Sequence, residues 1–279
     1  IEILDGGNGA NTPQVLETFE LYGCFVQGAN YNTLNYTENS PVSIALTIRY
    51  DNAIQSPQGT GIGAAVADEL NAKGWDVVRS SRSQGDIRID VSDDASVVEA
   101  ANKYEETYGA FDLVLVMAGF WKRMSAKQFD LEIFKEHNNT NNVGLARCVA
   151  VVLPKMIAQN SGTLIGVSSV AGFRGLPGSS GYGPSKAAQI NFLESLRTDL
   201  QQTNVIVQTV SPGFVKTPMT DVNTFPMPFI ISAEKAAKII VKGIEKKKAE
   251  IVFPTPMAIS MKLARLVPAA IWPKLFKKG

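Results

Sequence analysis

Ser56-Pro57-Gln58-Gly59-Thr60-Gly61-Ile62-Gly63 runs straight into an alanine-rich segment, residues 64–73, whose apolar positions keep helical spacing. Glycines let a backbone approach a pyrophosphate closely, and a helix N-terminus offers unpaired N–H groups and the positive end of its dipole. The stretch therefore reads as a phosphate-cradling turn, although a glycine-rich linker would be written in the same way. The sequence beyond it weighs toward the turn. Runs rich in apolar residues at 75–79, 111–117, 163–167 and 205–210 have the character of parallel strands buried on both faces. Helical stretches are expected between and after them, over 64–73, 92–108, 129–159, 182–201 and 233–246; Ala187, Ile190, Leu193, Leu196 and Leu200 show the spacing. Ser92 and Ser232 stand where N-caps belong, the latter with Glu234 in the first turn. This alternation predicts an α/β fold, a doubly wound Rossmann-type parallel sheet with ligands at the carboxyl ends of its strands.

Upstream of the turn the rhythm differs. Val42, Ile44, Leu46 and Ile48 alternate with Ser43, Thr47 and Arg49, the pattern of a half-exposed antiparallel strand. Residues 18–26 form another β-rich run, and an Asn- and Thr-rich connection at 30–40 joins the two into a hairpin or small meander. The expected organisation is a β-rich N-terminal extension over residues 1–52 and a nucleotide-binding domain over 53–279.

Composition narrows the chemistry. The chain has 279 residues, 45% apolar and 19% charged, too apolar for disorder. With 27 Lys plus Arg against 26 Asp plus Glu, a net charge of +1 offers no global field for nucleic acid. One histidine, His137, and two cysteines, Cys24 and Cys148, argue against zinc clusters, Cys/His proteases and disulfide scaffolds, so no metal site is expected. No G-x-S-x-G elbow is present, and the acid/base group of any enzyme here is expected not to be histidine. Glu2 and Asp5 stand where a signal peptide would carry basic residues, and no long apolar run suggests a membrane span. A cytoplasmic protein is expected, and Ile1 in place of Met suggests a trimmed chain.

Tyr182 and Lys186 stand four apart at the start of an expected helix and share one face. A phenol titrates near pH 10, and an ammonium beside it stabilises the phenolate and lowers that value, so such a pair can move a proton near neutrality. Taken alone the pair could be two surface residues; its context argues otherwise. Ser168 and Ser169 follow the run 163–167 at a carboxyl end, where a hydroxyl can polarise a bound carbonyl or make an ordinary turn before Gly172. Asp90-Val91 and Met117-Ala118-Gly119 fall on the same edge.

Together these residues resemble the short-chain dehydrogenase/reductase family of nicotinamide-dependent oxidoreductases, over roughly residues 56–255. The resemblance rests on Gly61-Ile62-Gly63, Asp90-Val91, Ala118-Gly119, Asn141-x-x-Gly144 followed by Leu153-Pro154, Ser168-Ser169-x-x-Gly172, Tyr182-x-x-x-Lys186 and Ser211-Pro212-Gly213-x-x-x-Thr217. The thirteen-residue step back from Tyr182 selects Ser169 over Ser168, and the position three before Gly144 selects Asn141. The resemblance implies an enzyme interconverting an alcohol and a carbonyl by hydride transfer, with a catalytic tetrad of Asn141, Ser169, Tyr182 and Lys186. Tyr182 would be the acid or base, Lys186 would lower its pKa and hold the nicotinamide ribose, and Ser169 would orient the substrate oxygen. Asn141 would hold a water joining Lys186 to solvent. Cofactor contacts would come from Gly59, Thr60, Gly61, Ile62, Gly63, Arg82, Asp90, Val91, Ala118, Gly119, Tyr182, Lys186, Pro212, Gly213, Val215 and Thr217. Ser80-Ser81-Arg82 carries no carboxylate for the adenosine ribose, and Arg82 can pair with a 2′-phosphate, which favours NADP over NAD. The short loop 83–86 suggests that the helix between strands two and three is lost. Partners implied are a small-molecule carbonyl or alcohol and further copies of the chain, as a homodimer or homotetramer, with no nucleic acid.

Three features depart from the family. Ser56 and Pro57 fill the Thr-Gly positions of its turn, and residues 52–55 make a poor central strand. Met117 replaces the usual Asn before Ala118-Gly119. The N-terminal part, through Tyr22-Gly23-Cys24-Phe25, Asn39-Ser40-Pro41-Val42 and residues 46–55, resembles the C-terminal part of contractile-phage tail-tube proteins. The alternative expectation is therefore a catalytically impaired or non-enzymatic chimera of two unrelated genes. Segments 120–129 and 219–231 should line the substrate pocket, with Phe225, Met227 and Phe229 either facing an apolar substrate or packing among themselves. Residues 257–278 mix apolar side chains with Lys262, Arg265 and Lys274, which suits a membrane-surface helix, but Pro268 and Pro273 favour a partner-facing or substrate-cap element.

Overall fold

A computed structural model of the chain describes residues 2–4, 15–18, 22–31, 44–52, 61–83, 85–221 and 223–276, those before residue 53 by backbone alone. The chain divides into two compact units, Ile1–Gln58 and Gly59–Gly279. In the first, β1 (Glu2–Leu4) pairs antiparallel with β2 (Val15–Thr18), and β3 (Tyr22–Tyr31) pairs antiparallel with β4 (Ile44–Asn52). The antiparallel pairing expected from the alternation around Ile44 and Ile48 is present, displaced by a few residues. The tail-tube resemblance depends largely on side chains outside the described residues.

The second unit begins with α1 (Ile62–Ala72) and the short parallel ladder of β5 (Ser80–Ser81) and β6 (Ile87–Arg88). There follow α2 (Asp94–Tyr108), β7 (Leu113–Val116), α3 (Leu131–His137), α4 (Gly144–Ala158), β8 (Thr163–Val167), α5 (Tyr182–Asp199) and β9 (Ile206–Pro212). The remainder is β10 (Val215–Lys216), α6 (Pro218–Asp221), β11 (Ile231–Ser232), α7 (Ala233–Glu245), β12 (Glu250–Phe253) and α8 (Thr255–Ala264). Four strands form one all-parallel sheet in the order β12-β9-β8-β7.

Alternate side chains of the buried strands feed two cores, which is the physical meaning of a doubly wound sheet. Ile165, Val167 and Val210 pack with Ala65, Val66 and Leu70 of α1 and Ile240 and Val241 of α7. Leu164 and Val207 face the other way, onto Val97 of α2, Leu145, Val149 and Met156 of α4 and Leu193 of α5. Each fully buried side chain of this kind contributes roughly 1.5–3 kcal/mol, so the two layers fix the sheet edge that carries the chemistry.

Several local expectations are corrected. Asp93, not Ser92, caps α2: its carboxylate accepts from the Ala95 N–H, while Ser92 is occupied with Asp90. The run 75–79 makes no strand ladder; pairing starts only at Ser80, and Trp75 stays 40% exposed. The single long helix expected over 129–159 is broken into α3 and α4 by a π-helical segment, Asn138–Val143. Ser232 does cap α7, accepting from the Lys235 N–H. The C-terminal segment does not form one continuous helix. After α8 a 3₁₀ turn, Trp272–Phe276, lets the Trp272 indole donate to the Gly175 carbonyl while Arg174 stacks on its ring. Among the described residues no helix is long and apolar enough to cross a membrane.

Candidate active site

Because the sheet is parallel, β7, β8 and β9 end on one edge, and their C-terminal residues meet there. β7 leads into Met117, Ala118 and Gly119; β8 into Ser168 and Ser169; β9 into Gly213. Tyr182 opens α5 opposite them. The Ser169 hydroxyl stands close enough to the Tyr182 phenol to lower its pKa. Ser169 also caps the 3₁₀ turn Val170–Gly172, accepting from the Ala171 N–H, and donates to the Pro212 carbonyl at 3.3 Å. Ser168 is directed elsewhere: its buried hydroxyl donates to the Lys186 carbonyl at 2.7 Å, tying the strand end to the helix.

Lys186 is 3% exposed, its Nζ 5.6 Å from the centre of the Tyr182 ring. It donates to the Val167 carbonyl at 3.0 Å and to Gln189 Oε1 at 2.8 Å. Burial pulls its pKa down to about 7. Burial also pushes the Tyr182 phenol up to about 12, against the lowering effect of the Ser169 hydrogen bond. Both shifts have the same leading cause, since a weakly polar setting favours the uncharged form of each group.

Asn141 lies in the π-helical segment, fully buried. Its Oδ1 accepts from the Phe120 N–H at 2.6 Å, and its Nδ2 donates to the Phe120 carbonyl at 3.0 Å and to Ser185 Oγ at 2.9 Å. The amide therefore clamps the strand that follows β7 to the start of α5. Arg147 steadies the segment from below, donating to Asn139 Oδ1 at 2.9 Å and to the Val91 carbonyl at 3.2 Å. His137, the sole histidine, uses both ring nitrogens on backbone: Nδ1 lies 2.8 Å from the Ile133 carbonyl, and Nε2 accepts from the Lys122 N–H. That pairing selects the neutral Nδ1–H tautomer. Burial, opposed by the Ile133 bond, lowers its pKa.

The remaining sequence-derived residues that are described lie at or beside the ends of strands and helices. Gly61 precedes α1 in an extended conformation with no side-chain cap, so the first N–H groups of an eleven-residue helix are not claimed by a capping side chain. A Cβ on Gly119 would sit 3.6 Å from Asn141 Oδ1 and 3.7 Å from Lys186 Nζ. On Gly213 a Cβ would meet Met257 Sδ at 2.4 Å. Ile62 and Ala118 are half-buried, Gly63 is exposed, and Val91, Pro212, Val215 and Thr217 are buried. Burial would raise the Asp90 carboxyl, but hydrogen bonds from the Ser92 hydroxyl and N–H, with the Arg82 and Arg147 charges, hold it below its ordinary value. Arg82 follows β5, and its carbonyl accepts from Arg88 Nε. Gly59 and Thr60, like Pro57, lie outside the described residues.

The segments expected to line the pocket meet over Tyr182. The Trp121 indole donates to Asn223 Oδ1 at 3.1 Å and its ring stands edge-on to Tyr182, centroids 4.9 Å apart. Phe225 packs on Phe214 and under the Arg123 guanidinium. Gln189 and the Trp121–Asn223 pair were not singled out by the sequence: a glutamine at helical spacing looks like a surface residue, and a hydrogen bond across 102 positions has no local signature.

The chain is similar in sequence and in fold to known proteins. The sequence pattern of a family described as short chain dehydrogenase matches residues 57–225. An uncharacterized oxidoreductase of Myxococcus xanthus is 37% identical over 204 residues, covering 73% of this chain and 78% of that one. Among solved structures, serine dehydrogenase from Escherichia coli is similar with a TM-score of 0.60 and 25% identity, over 70% of this chain and 93% of that chain. ElxO with NADP bound is similar with a TM-score of 0.62 and 23% identity, over 69% and 93%.

Proposed function

The chain belongs to the short chain dehydrogenase family, and on that premise we propose that it is an NADP-dependent oxidoreductase interconverting a carbonyl and an alcohol. One observation carries the reading: the Ser169 hydroxyl meets the Tyr182 phenol at the carboxyl edge of the sheet, with Lys186 one helical turn behind. The surrounding residues suit a nicotinamide dinucleotide. The uncapped N-terminus of α1 offers N–H donors to a pyrophosphate, and Gly119 leaves room beside Lys186. Asp90 and Val91 would hold the adenine end, Pro212, Gly213, Val215 and Thr217 the nicotinamide end, and Arg82 a 2′-phosphate. The fold shared with ElxO, whose structure holds NADP, is consistent with that choice.

When bound, the reduced cofactor supplies hydride to a carbonyl carbon. This chain's own residues manage the proton and the placement. Tyr182 donates its phenolic proton to the substrate oxygen, Ser169 orients that oxygen by hydrogen bonding, and Lys186 stabilises the phenolate left behind. Trp121, Phe214 and Phe225 present an aromatic wall to the substrate, which suits an apolar body on the carbonyl. We assign residues 53–279 to this oxidoreductase domain and residues 1–52 to a separate extension, and we take the working form to be a homodimer or homotetramer.

The test is a fluorescence titration of the purified chain with NADPH and NADH, followed by turnover on a panel of ketones and aldehydes. Tyr182→Phe is expected to lower kcat by roughly 10²–10⁴-fold, the usual worth of a positioned acid, while leaving NADPH binding in place. Failure of both nucleotides to bind, or full activity in Tyr182→Phe, overturns the reading.

A further inference from the structure

One buried polar side chain of α5 has no part in the chemistry described so far. Gln189 is 1% exposed and stands three residues past Lys186 on the same helix. Its Oε1 accepts from Lys186 Nζ at 2.8 Å, and its Nε2 donates to the main-chain carbonyl of Asn141 at 2.5 Å. A buried amide is expensive unless paired, and this one bridges the two groups that the family pattern joins through a water. Lys186 gives a second hydrogen to the Val167 carbonyl, with its Nζ 5.6 Å from the centre of the Tyr182 ring.

We propose that Gln189 is a positioning residue that stands in for a relay water, holding Lys186 toward Tyr182 and closing the proton path from Lys186 through the Asn141 carbonyl. The inference rests on the dehydrogenase reading of the site. A water in that gap can accept a proton on one side and release one on the other. A carboxamide cannot, because its N–H bonds do not ionise near neutrality. In its place Gln189 offers a fixed acceptor that favours the ammonium form of Lys186, and through it the phenolate of Tyr182. The titratable groups facing Lys186 are Tyr182 on its own helix and His137 on α3, the latter favoured in its neutral form by burial and by the Lys122 N–H that its Nε2 accepts from. Asn141 and the Val167 carbonyl complete its surroundings without charge.

Two substitutions separate pairing from packing. Gln189→Leu keeps the bulk and removes both hydrogen bonds; Gln189→Ser removes the bulk and leaves room for a water between Lys186 Nζ and the Asn141 carbonyl. Without its acceptor, Lys186 holds its proton less tightly and donates less strongly toward the phenolate. The tyrosinate absorbance that Tyr182→Phe removes, read in the free protein at one alkaline pH, is therefore expected to be smaller in Gln189→Leu. The acid limb of alcohol oxidation with NADP should move up by about one pH unit, lowering kcat at pH 7 about tenfold. Gln189→Ser should return both toward the native values and raise the solvent deuterium isotope effect on kcat, as a water rejoins the path. A packing residue would give the reverse order, with Leu near native and Ser impaired by its cavity; that order, or an unchanged tyrosinate absorbance in Gln189→Leu, overturns the proposal. Should Gln189→Leu fail to fold, Gln189→Met carries the same comparison. The native chain and Tyr182→Phe run alongside, so loss of the dehydrogenase reading shows as inactivity of the native protein. The absorbance measurement still decides the role of Gln189.

Discussion

Lys186 occupies a site that disfavours its own charge, and that conflict is measurable apart from catalysis. Its folded pKa of about 7 lies below the ordinary lysine value of 10.5. Below about pH 7 both folded and unfolded chains carry the proton, and the burial penalty is fully present. Between about 7 and 10.5 the unfolded chain holds the proton that the folded chain has lost, so stability rises with pH across that window. Urea denaturation from pH 6 to 10 should show this rise, and Lys186→Met should flatten it; an equal slope in both would mean that Lys186 is not the group responsible. Tyr182, raised to about 12, has the opposite sign, and stability should fall again once the pH passes the unfolded phenol's 10. His137 supplies a contrasting case. With both ring nitrogens on backbone groups, His137→Leu should lower stability by roughly 1–3 kcal/mol, the cost of leaving buried partners unpaired. It should leave the pH limb of turnover unmoved; a displaced limb would make His137 part of the proton chemistry. At this scale the sequence was informative wherever spacing encodes contact. Tyr182 and Lys186 share a face because they are four apart, and the step to Tyr182 separates Ser169, which reaches the phenol, from Ser168, which ties down the Lys186 carbonyl. Their electrostatics were not legible, because the sign of a pKa shift depends on burial that no spacing reveals.

The elements hold these residues through close backbone approaches. Gly172 ends the 3₁₀ turn that Ser169 caps, and a Cβ there would lie 2.7 Å from the Lys186 carbonyl carbon and 2.8 Å from the Ala187 nitrogen. Both are backbone atoms in the middle of α5, so neither can turn aside. Gly172→Ala should force the turn away from α5, at about 1–3 kcal/mol of overpacking, and carry Ser169 off the phenol. Displacements of about 1 Å at a reacting centre can lower a rate about 10²-fold. We therefore expect kcat to fall far more than denaturation midpoints shift, as read by turnover and urea melts on the same preparation. A variant that loses stability but keeps kcat would show that the turn does not position Ser169. The π-helical segment works similarly, turning Asn141 inward to clamp Phe120 and Ser185. The sequence placed Asn141 by its distance from Gly144, yet predicted an uninterrupted helix, since a single wide turn leaves the apolar periodicity on either side almost unchanged. Ser92 was misread for a related reason: Ser92, Asp93 and Asp94 are all good caps, and only the direction of chain entry decided for Asp93.

At the scale of the molecule, the sheet and the glycine-rich turn pose one question together. The four-stranded parallel sheet ends at β7, and β5 with β6 forms a separate ladder. In a doubly wound order the strand that leads into the phosphate turn lies between those two groups. The residues that would supply it, 53–60, lie outside the described residues. The alternation of strands and helices made the architecture legible from Gly61 onward, because burial on both faces writes continuous apolar runs. It failed where the runs fail: residues 52–55 hold only Ala53 and Ile54 as apolar positions, and Pro57 stands where the family has glycine. Proline fixes φ near −65° and has no N–H, so it can neither take a positive φ nor donate to a phosphate. Pro57→Gly should therefore tighten NADPH binding by about tenfold, equivalent to about 1.4 kcal/mol, measured by fluorescence titration. kcat should change little, since Tyr182, Lys186 and Ser169 are held by β8, β9 and α5 and do not depend on the turn. If the turn is as the family builds it and proline is the defect, the gain should appear equally in a chain beginning at residue 53, as the division between extension and domain requires. If Pro57→Gly leaves affinity unchanged while removal of residues 1–52 raises it, the N-terminal extension and not the turn limits cofactor binding. If neither changes it, the uncapped start of α1 already supplies the phosphate contacts.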